Sequence, residues 1–418
     1  MEDVIPWTEN YTQYAEPHLL ERICTPNRIV QFSVPWENDH GEICLNQGYR
    51  VQHNNTIGPY KGGLRFHPSV NSSILKFLAF EQTFKNSLTG LPLGSGKGGS
   101  DFDPKNKSDS EIRRFCQSFM TGLIPFIGRD KDIPAGDIGV GSREISYMFG
   151  HLKRISDLSP GSLTGKSMSF GGSDIRLEAT GYGCVYFLQH ILQAQGGDIE
   201  GKSILISGAG NVSLYACEKL LELGGKVITL SDSQGFLHVP NGISPSMLKA
   251  IMDLRFNRHE RLHTITQDFP EAKYHKGKKP WNITADVAMP CATENEILIE
   301  DASSLIKNGT KIVIEGANMP TNPEAIHAFR QAKVIYAPGK AANAGGVAVS
   351  SLEMTQNNLG YHWPRDEVDE KLQIIMHNIH HQCIQYGFTA PDQPIDYAKG
   401  ANIAGFKKVA DAMLAMGI

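Results

Sequence analysis

Ser203-Ile-Leu-Ile-Ser-Gly-Ala-Gly-Asn-Val-Ser213 is the stretch that decides the fold. Residues 203–207 form a short apolar run that reads as a buried strand. Gly208-Ala-Gly-Asn211 reads as a tight turn, and the residues beyond it as a helix with Val212, Ala216, Leu220 and Leu223 on one face. In a strand–turn–helix unit the first glycine permits the turn and the second lets backbone approach a pyrophosphate. The helix N-terminus then offers N–H groups to the anion. Gly208, Gly210, Asn211 and Val212 are therefore the first candidate cofactor contacts. Ser213 stands where a third glycine is usual, which predicts a helix set slightly further from its strand.

Outward from this unit, strands are predicted at 226–230, 285–289, 311–315 and 333–337, with helical patterns between them and a helix over 179–194. That alternation predicts an α/β fold with a doubly wound parallel sheet, a Rossmann-type dinucleotide-binding domain over 171–345. Residues 1–170 read as a second, mixed α/β domain for substrate and catalysis. Its helix-like stretches (74–88, 109–121) alternate with glycine bursts read as loops that bring backbone close to a ligand. Residues 346–418 read as mostly helical, returning to the substrate domain, with the active site in a cleft between the two domains.

Composition narrows the class. The 418 residues are 40% apolar and 20% charged, and Lys+Arg 40 against Asp+Glu 44 leaves a net charge of −4. Nothing global draws such a chain to nucleic acid or to a membrane surface. No apolar run is long enough for a membrane span, and Met1–Val4 starts no export signal. Seven cysteines without a CxxC pair predict reduced thiols and a cytoplasmic protein. His377, His380 and His381 share a helical face but lack a carboxylate partner, so no metal site is predicted and a packed or solvated helix is the better reading.

Ser231-Asp232-Ser233 closes the second strand of the dinucleotide unit. A carboxylate at that point usually accepts from a ribose hydroxyl, which favours NAD. Arg255, Arg258 and Arg261 are spaced to share one helical face, and arginines with two serine hydroxyls suit a 2′-phosphate. Residue chemistry alone leaves NAD and NADP open.

The first domain holds three lysines in unusual settings. Lys61 lies in Gly58-Pro-Tyr-Lys-Gly-Gly63, Lys85 follows Glu81-Gln82-Thr-Phe84, and Lys97 lies in Gly94-Ser-Gly-Lys-Gly-Gly99. A lysine held away from water near other cations has a lowered pKa and serves as a base or electrophile. Asp137, in Pro134-Ala-Gly-Asp-Ile-Gly-Val-Gly141, is a carboxylate whose burial is expected to raise its pKa toward the range of proton transfer. Together these residues predict a cationic pocket for a small carboxylate beside a nicotinamide.

The runs Tyr49–His53, Gly58–Pro68, Phe80–Thr89, Leu91–Pro104, Pro134–Gly141, Glu178-Ala-Thr-Gly-Tyr-Gly183, Pro290–Thr293, Glu315–Pro320, Lys340–Gly346 and Gly400–Phe406 strongly resemble the hexameric, bacterial-type glutamate dehydrogenases. The resemblance spans nearly the whole chain. It implies reversible oxidative deamination of L-glutamate to 2-oxoglutarate and ammonium, in a homo-oligomer, as a hexamer. By matching motif, Lys61 and Ser351 would bind the side-chain carboxylate, Gln82 and Lys85 the α-carboxylate, and the Gly136 carbonyl would lie near the amine. Lys97 would be the catalytic lysine and Asp137 the proton shuttle. Thr180 and Asn211 would touch the cofactor, with Asn318 and Asn343 near its ribose or nicotinamide. Relatives acting on leucine or phenylalanine are understood to carry an apolar residue where Lys61 stands, so Lys61 implies glutamate. The Ser231–Ser233 segment and the arginines resemble the NADP-preferring members, which implies NADP rather than NAD.

The chain departs from that pattern at Ser95, where the family has glycine, and at Asp174 and Leu177, where it has an apolar residue and proline. It departs again at 122–126, where Pro125 is expected to break a helix, and it starts some tens of residues late. Ser95 is expected to crowd the segment presenting Lys97. These departures sustain an alternative, an NADP-binding paralogue with impaired catalysis and a regulatory or assembly role.

Overall fold

The computed structural model describes residues 1, 3–16, 18–157, 160–391 and 393–418. They form two compact units. One comprises Met1–Arg176, Val347–Lys371 and Asn402–Ile418; the other comprises Leu177–Gly346 and Leu372–Ala401. The C-terminal helices, expected to return together to the first domain, divide instead. Residues 372–401 stay with the second unit because His380 and Tyr397 pack on Phe187 of its helix Ala179–Gln193.

The first unit is built on a five-stranded sheet of β1 (Arg28–Glu37), β2 (Ile43–Asn54), β3 (Tyr60–Phe66), β4 (Ser95–Ser100) and β5 (Asp132–Gly136). The order is β1-β2-β4-β3-β5, with β3 parallel to both of its neighbours. Two glycine bursts expected as loops are therefore the inner strands β3 and β4. The reason is steric: a Cβ on Gly62 would collide with the Gly96 carbonyl, and one on Gly99 with the Arg65 carbonyl. Only glycine lets these backbones approach so closely. The two expected helices are Ser72–Leu88 and Asp109–Leu123. Asn71 caps the first, and a Ser108–Glu111 capping box starts the second. Pro125 acts as expected: the second helix stops at Leu123 and a 3-10 turn, Ile124–Phe126, follows. Behind the sheet Phe66, Phe102, Phe115 and Phe119 form an aromatic core, Phe102 stacked on Phe115 at 3.8 Å.

The second unit holds a seven-stranded sheet of β6 (Ser203–Ile206), β7 (Lys226–Asp232), β8 (Gly235–His238), β9 (Lys273–Lys276), β10 (Val287–Met289), β11 (Ile312–Ile314) and β12 (Ile335–Ala337). Its order is β12-β11-β10-β6-β7-β8-β9. The five expected strands are present and parallel. β8 and β9 are additions that composition hides, since Lys-Tyr-His-Lys in β9 has no apolar run. β8 is antiparallel to both neighbours. From β6 the chain winds one way to β7 and later the other way to β10, so the strand order reverses beside β6, where such sheets take their ligands. Among the described residues no helix is long and apolar enough to cross a membrane.

Candidate active site

Strand register assembles the substrate residues. Along β3 the side chains of Lys61, Gly63 and Arg65 share one face, by the two-residue period of a strand. β4 sets Lys97 one residue before the Leu64–Gly98 pair, and Asp137 follows directly on Gly136, which pairs with Leu64. Arg65, Lys97 and Asp137 therefore meet across three neighbouring strands. Asp137 Oδ2 accepts from Arg65 Nε at 2.9 Å and lies 3.2 Å from Lys97 Nζ. Gly63 leaves room for this approach, since a Cβ there would stand 2.7 Å from Asp137 Cβ.

The electrostatics differ from one expectation. Burial pulls the Asp137 pKa up, but the Lys97 and Arg65 charges and their hydrogen bonds outweigh it and hold the carboxylate below its ordinary value. Lys97 behaves as expected: burial lowers its pKa, Arg65 lowers it further, and Asp137 only partly offsets them. The pair thus combines a firmly ionised carboxylate with an easily deprotonated amine.

Lys61 is almost fully buried, 1% exposed, and donates to Thr164 Oγ1 at 2.8 Å. Thr164 Oγ1 in turn lies 2.6 Å from Ser350 Oγ, one residue before Ser351 on the helix Gly345–Leu359. Burial and then the nearby Arg176 guanidinium push the Lys61 pKa well down. Arg176 Nε is itself buried without a hydrogen-bond partner. Glu353 is bound to Lys166, at 2.6 Å, and to the Gly165 N–H, at 2.9 Å. Lys61, Arg176 and Lys166 against Glu353 leave this corner with excess positive charge. Beneath it, on the opposite face of the sheet, Arg50 and Asp132 neutralise each other.

Gln82 and Lys85 occupy one face of the helix Ser72–Leu88, half-buried. Gln82 donates to Asn86 Oδ1 at 2.6 Å, and Asn86 donates to the Lys61 and Gly94 carbonyls. Helix and lysine strands are thereby tied together. Ser95, expected to crowd them, is accommodated: its hydroxyl is fully buried and lies 2.6 Å from Thr83 Oγ1. Asp174 does not pair with Arg176; it lies 3.1 Å from His362. Leu177 is exposed.

In the second unit the glycine turn joins β6 to the helix Asn211–Glu222. Gly208 has φ +87°, a conformation that favours glycine, and its N–H donates to Ser231 Oγ at 2.7 Å. A Cβ on Gly210 would meet nothing within 4 Å. Protein packing does not require that glycine, so the space above it fits a pyrophosphate approaching the helix N-terminus. Ser213, in the place of the third glycine, accepts from the Gly210 N–H at 2.9 Å and staples the turn. Gly181 packs against the backbone of Val212 and Ala216, which brings Thr180 to the start of that helix. Asn343 Nδ2 bonds the Gly316 and Ala317 carbonyls and Asn318 Oδ1, so the two asparagines form one cluster after β11.

The three arginines do not share a helical face. Their helix, Pro245–Phe256, ends before Arg258, and His259 takes φ +55° as the chain turns away. Arg255 reaches the Ala209 and Glu260 carbonyls, Arg258 pairs with Glu260, and Arg261 donates to Ser233 Oγ at 2.9 Å. Asp232 accepts from the N–H groups of Gln234 and Leu262 and from Tyr274 OH. Burial would raise its pKa, but these donors and Arg261 hold it low. Two donors thus occupy Asp232 Oδ1 and one occupies Oδ2, which keeps an acceptor position.

A family model described as Glutamate/Leucine/Phenylalanine/Valine dehydrogenase matches residues 171–417, and one described as Glu/Leu/Phe/Val dehydrogenase, dimerisation domain, matches residues 26–154. The chain belongs to the Glu/Leu/Phe/Val dehydrogenase family. It is 56% identical over 408 residues to an NAD(P)-specific glutamate dehydrogenase of Xylanibacter ruminicola, covering 98% of this chain and 91% of that one. It is 54% identical to an NAD-specific glutamate dehydrogenase of Bacteroides fragilis, covering 98% and 92%. It is 51% identical to the NADP-specific glutamate dehydrogenase of Escherichia coli, covering 99% and 92%. The crystal structure of Plasmodium falciparum glutamate dehydrogenase superposes with a TM-score of 0.97 at 48% identity, covering 100% of this chain and 89% of that one.

For this Glu/Leu/Phe/Val dehydrogenase family member, reading the residues had not drawn Arg65, Thr164, Arg176 or Ser350 into the site. Arg65 was visible in principle, two residues from Gly63 on an alternating strand. Thr164 and Arg176 sit in irregular segments that carry no period, and only the folded chain brings them to Lys61.

Proposed function

We propose that this chain catalyses the reversible oxidative deamination of L-glutamate to 2-oxoglutarate and ammonium, with NADP as the preferred hydride acceptor. The carrying observation is the buried corner where Lys61 meets Arg176, on the same sheet face as Lys97: burial and the Arg176 charge push the Lys61 pKa well down, and a bound carboxylate would restore its proton. A side-chain carboxylate there would stabilise the protonated Lys61 and offset Arg176, whereas an alkyl side chain would offer no counter-charge. Leucine, phenylalanine and valine are therefore poor fits. Ser351, one position from the Ser350–Thr164–Lys61 chain, belongs to the same end of the substrate, with Gln82 and Lys85 toward the α-carboxylate and the Gly136 carbonyl near the amine.

When bound, the nicotinamide supplies the acceptor for hydride from Cα. The protein's own part is acid–base work. Asp137, ionised, takes a proton from the substrate ammonium. Lys97, as a neutral amine, takes a proton from the water that attacks the iminium carbon, and its ammonium form then stabilises oxygen charge. Asp137 returns a proton to the departing ammonia. Thr180, Gly208, Gly210, Asn211, Val212, Asn318 and Asn343 line the dinucleotide side.

Preference for NADP is supported by Ser233 and Arg261, preset by their mutual hydrogen bond. Homo-oligomerisation, as a hexamer by resemblance, is supported by β1 at the sheet edge and by exposed Ile29, Ile43 and Leu45 beside it, within the region matched by the dimerisation-domain model. Seven free cysteines, five of them buried, support a reducing cytoplasm.

The test is absorbance of reduced nicotinamide with purified protein, 2-oxoglutarate and ammonium, NADPH and NADH side by side, with Lys97→Ala as control. Oxidation favouring NADPH that falls by roughly 10²–10⁴-fold in the variant is expected. Equal rates with NADH would remove the cofactor preference, and an active variant would remove the assignment of Lys97.

A further inference from the structure

Asp137 does not face Lys97 alone. Arg65 Nε and Lys97 Nζ both engage the same carboxylate oxygen, Oδ2, at 2.9 and 3.2 Å. The Arg65 side chain is nearly buried, 8% exposed, so its charge is weakly screened. It rises from the strand between the other two residues' strands, beside Gly99, where any Cβ would strike the Arg65 carbonyl.

We infer that Arg65 is a positioning residue for the acid–base couple: it clamps the Asp137 carboxylate through the oxygen that Lys97 uses, and its buried charge biases Lys97 toward the neutral amine. This rests on the roles proposed for Lys97 and Asp137. Without a second cation, a buried lysine and carboxylate at this distance would settle as a closed ion pair, with the lysine protonated and its lone pair unavailable. Arg65 competes for the carboxylate and repels the ammonium, so Lys97 gives up its proton at lower pH. The charged groups acting on Lys97 are Asp137 after β5, Arg65 on β3 and Arg50 on β2, of which Arg50 is already neutralised by Asp132. Of the two arginines, Arg65 has the larger effect on the amine. Its Nε–H, fixed in the guanidinium plane, also gives the contact a direction that a freely rotating ammonium would not.

The experiment is the pH profile of kcat/KM for glutamate oxidation in wild type, Arg65→Gln and Arg65→Lys, with circular dichroism confirming the fold. In Arg65→Gln the ascending limb, where Lys97 loses its proton, is expected to move up by about one pH unit. In Arg65→Lys, which keeps a cation but loses the fixed Nε–H donor, the shift is smaller and kcat falls more than KM changes. A limb unmoved in whichever of these variants folds, with activity lower by the same factor at every pH, would overturn the inference and leave Arg65 a structural residue. Lys97→Ala separates this from the reading beneath it. If that variant keeps both turnover and limb, the role of Lys97 fails; if it loses them while Arg65→Gln leaves the limb unmoved, only the clamp fails.

Discussion

Lys61 shows how one side chain sets specificity. Buried beside Arg176 and donating to the Thr164 hydroxyl, it has a lowered pKa that a carboxylate substrate would raise again. Lys61→Leu is expected to lower kcat/KM for glutamate by roughly 10²-fold or more, because a lost charge-assisted bond in a dry site is worth about 3 kcal/mol. Protein stability should hold or rise, since a buried amine gives way to an apolar side chain. Retained glutamate kcat/KM would place the side-chain carboxylate elsewhere. Next to Arg176, Ile175 takes φ +63° while buried, a strained conformation for a β-branched residue. Such strain concentrates where a neighbour must be aimed, and here the neighbour is the arginine facing Lys61.

At the scale of elements, the glycine turn before the helix Asn211–Glu222 separates folding from binding. Gly208 is required by its backbone, whereas Gly210 has open space where a Cβ would go. Gly210→Ala should therefore leave the melting temperature unchanged while raising the KM for dinucleotide about tenfold, equivalent to roughly 1.4 kcal/mol. A lowered melting temperature with unaltered KM would mean that the glycine serves packing. The proposed preference for NADP rests on the hairpin of β7 and β8, through Ser233 and its partner Arg261. Arg261→Ala is expected to lower the ratio of kcat/KM for NADPH over NADH about tenfold, the loss of one exposed charge-assisted contact. An unchanged ratio would move the 2′-phosphate away from this pair.

At the scale of the molecule, buried neutral histidines link stability to pH. His53 is 1% exposed, and burial takes its pKa from 6.5 down to about 4; His380, buried against Tyr397, falls to about 3. Their folded values lie below the unfolded one, so their contribution is complete above about pH 6.5 and is lost as pH falls toward 4. For His53 alone the loss at pH 5 is about 2 kcal/mol. Urea unfolding at pH 7.5 and 5.0 measures it, and His53→Asn should flatten the dependence. A profile identical in wild type and variant would show that His53 is solvated in the folded chain.

Much of this architecture was legible in advance because its signals are local. The turn at 208–211, the parallel strands around it and the helices Ser72–Leu88 and Asp109–Leu123 follow from apolar period, glycine placement and caps, each settled within a dozen residues. Lys61, Lys97 and Asp137 stood out because glycines flank them. What the fold alone decided depends on residues far apart in the chain. Two glycine bursts became inner strands because backbones separated by some thirty residues press together there. The Asp137 pKa fell below its ordinary value, rather than rising, because Lys97 and Arg65 arrive from two other strands. Arg258 pairs with Glu260 rather than sharing a face with Arg255 because its helix ends early, and Thr164 and Arg176 reached Lys61 from segments without period. Local sequence determines where a helix, strand or turn can form; the charge state and company of a buried side chain are set by whatever the tertiary packing places within a few ångströms of it.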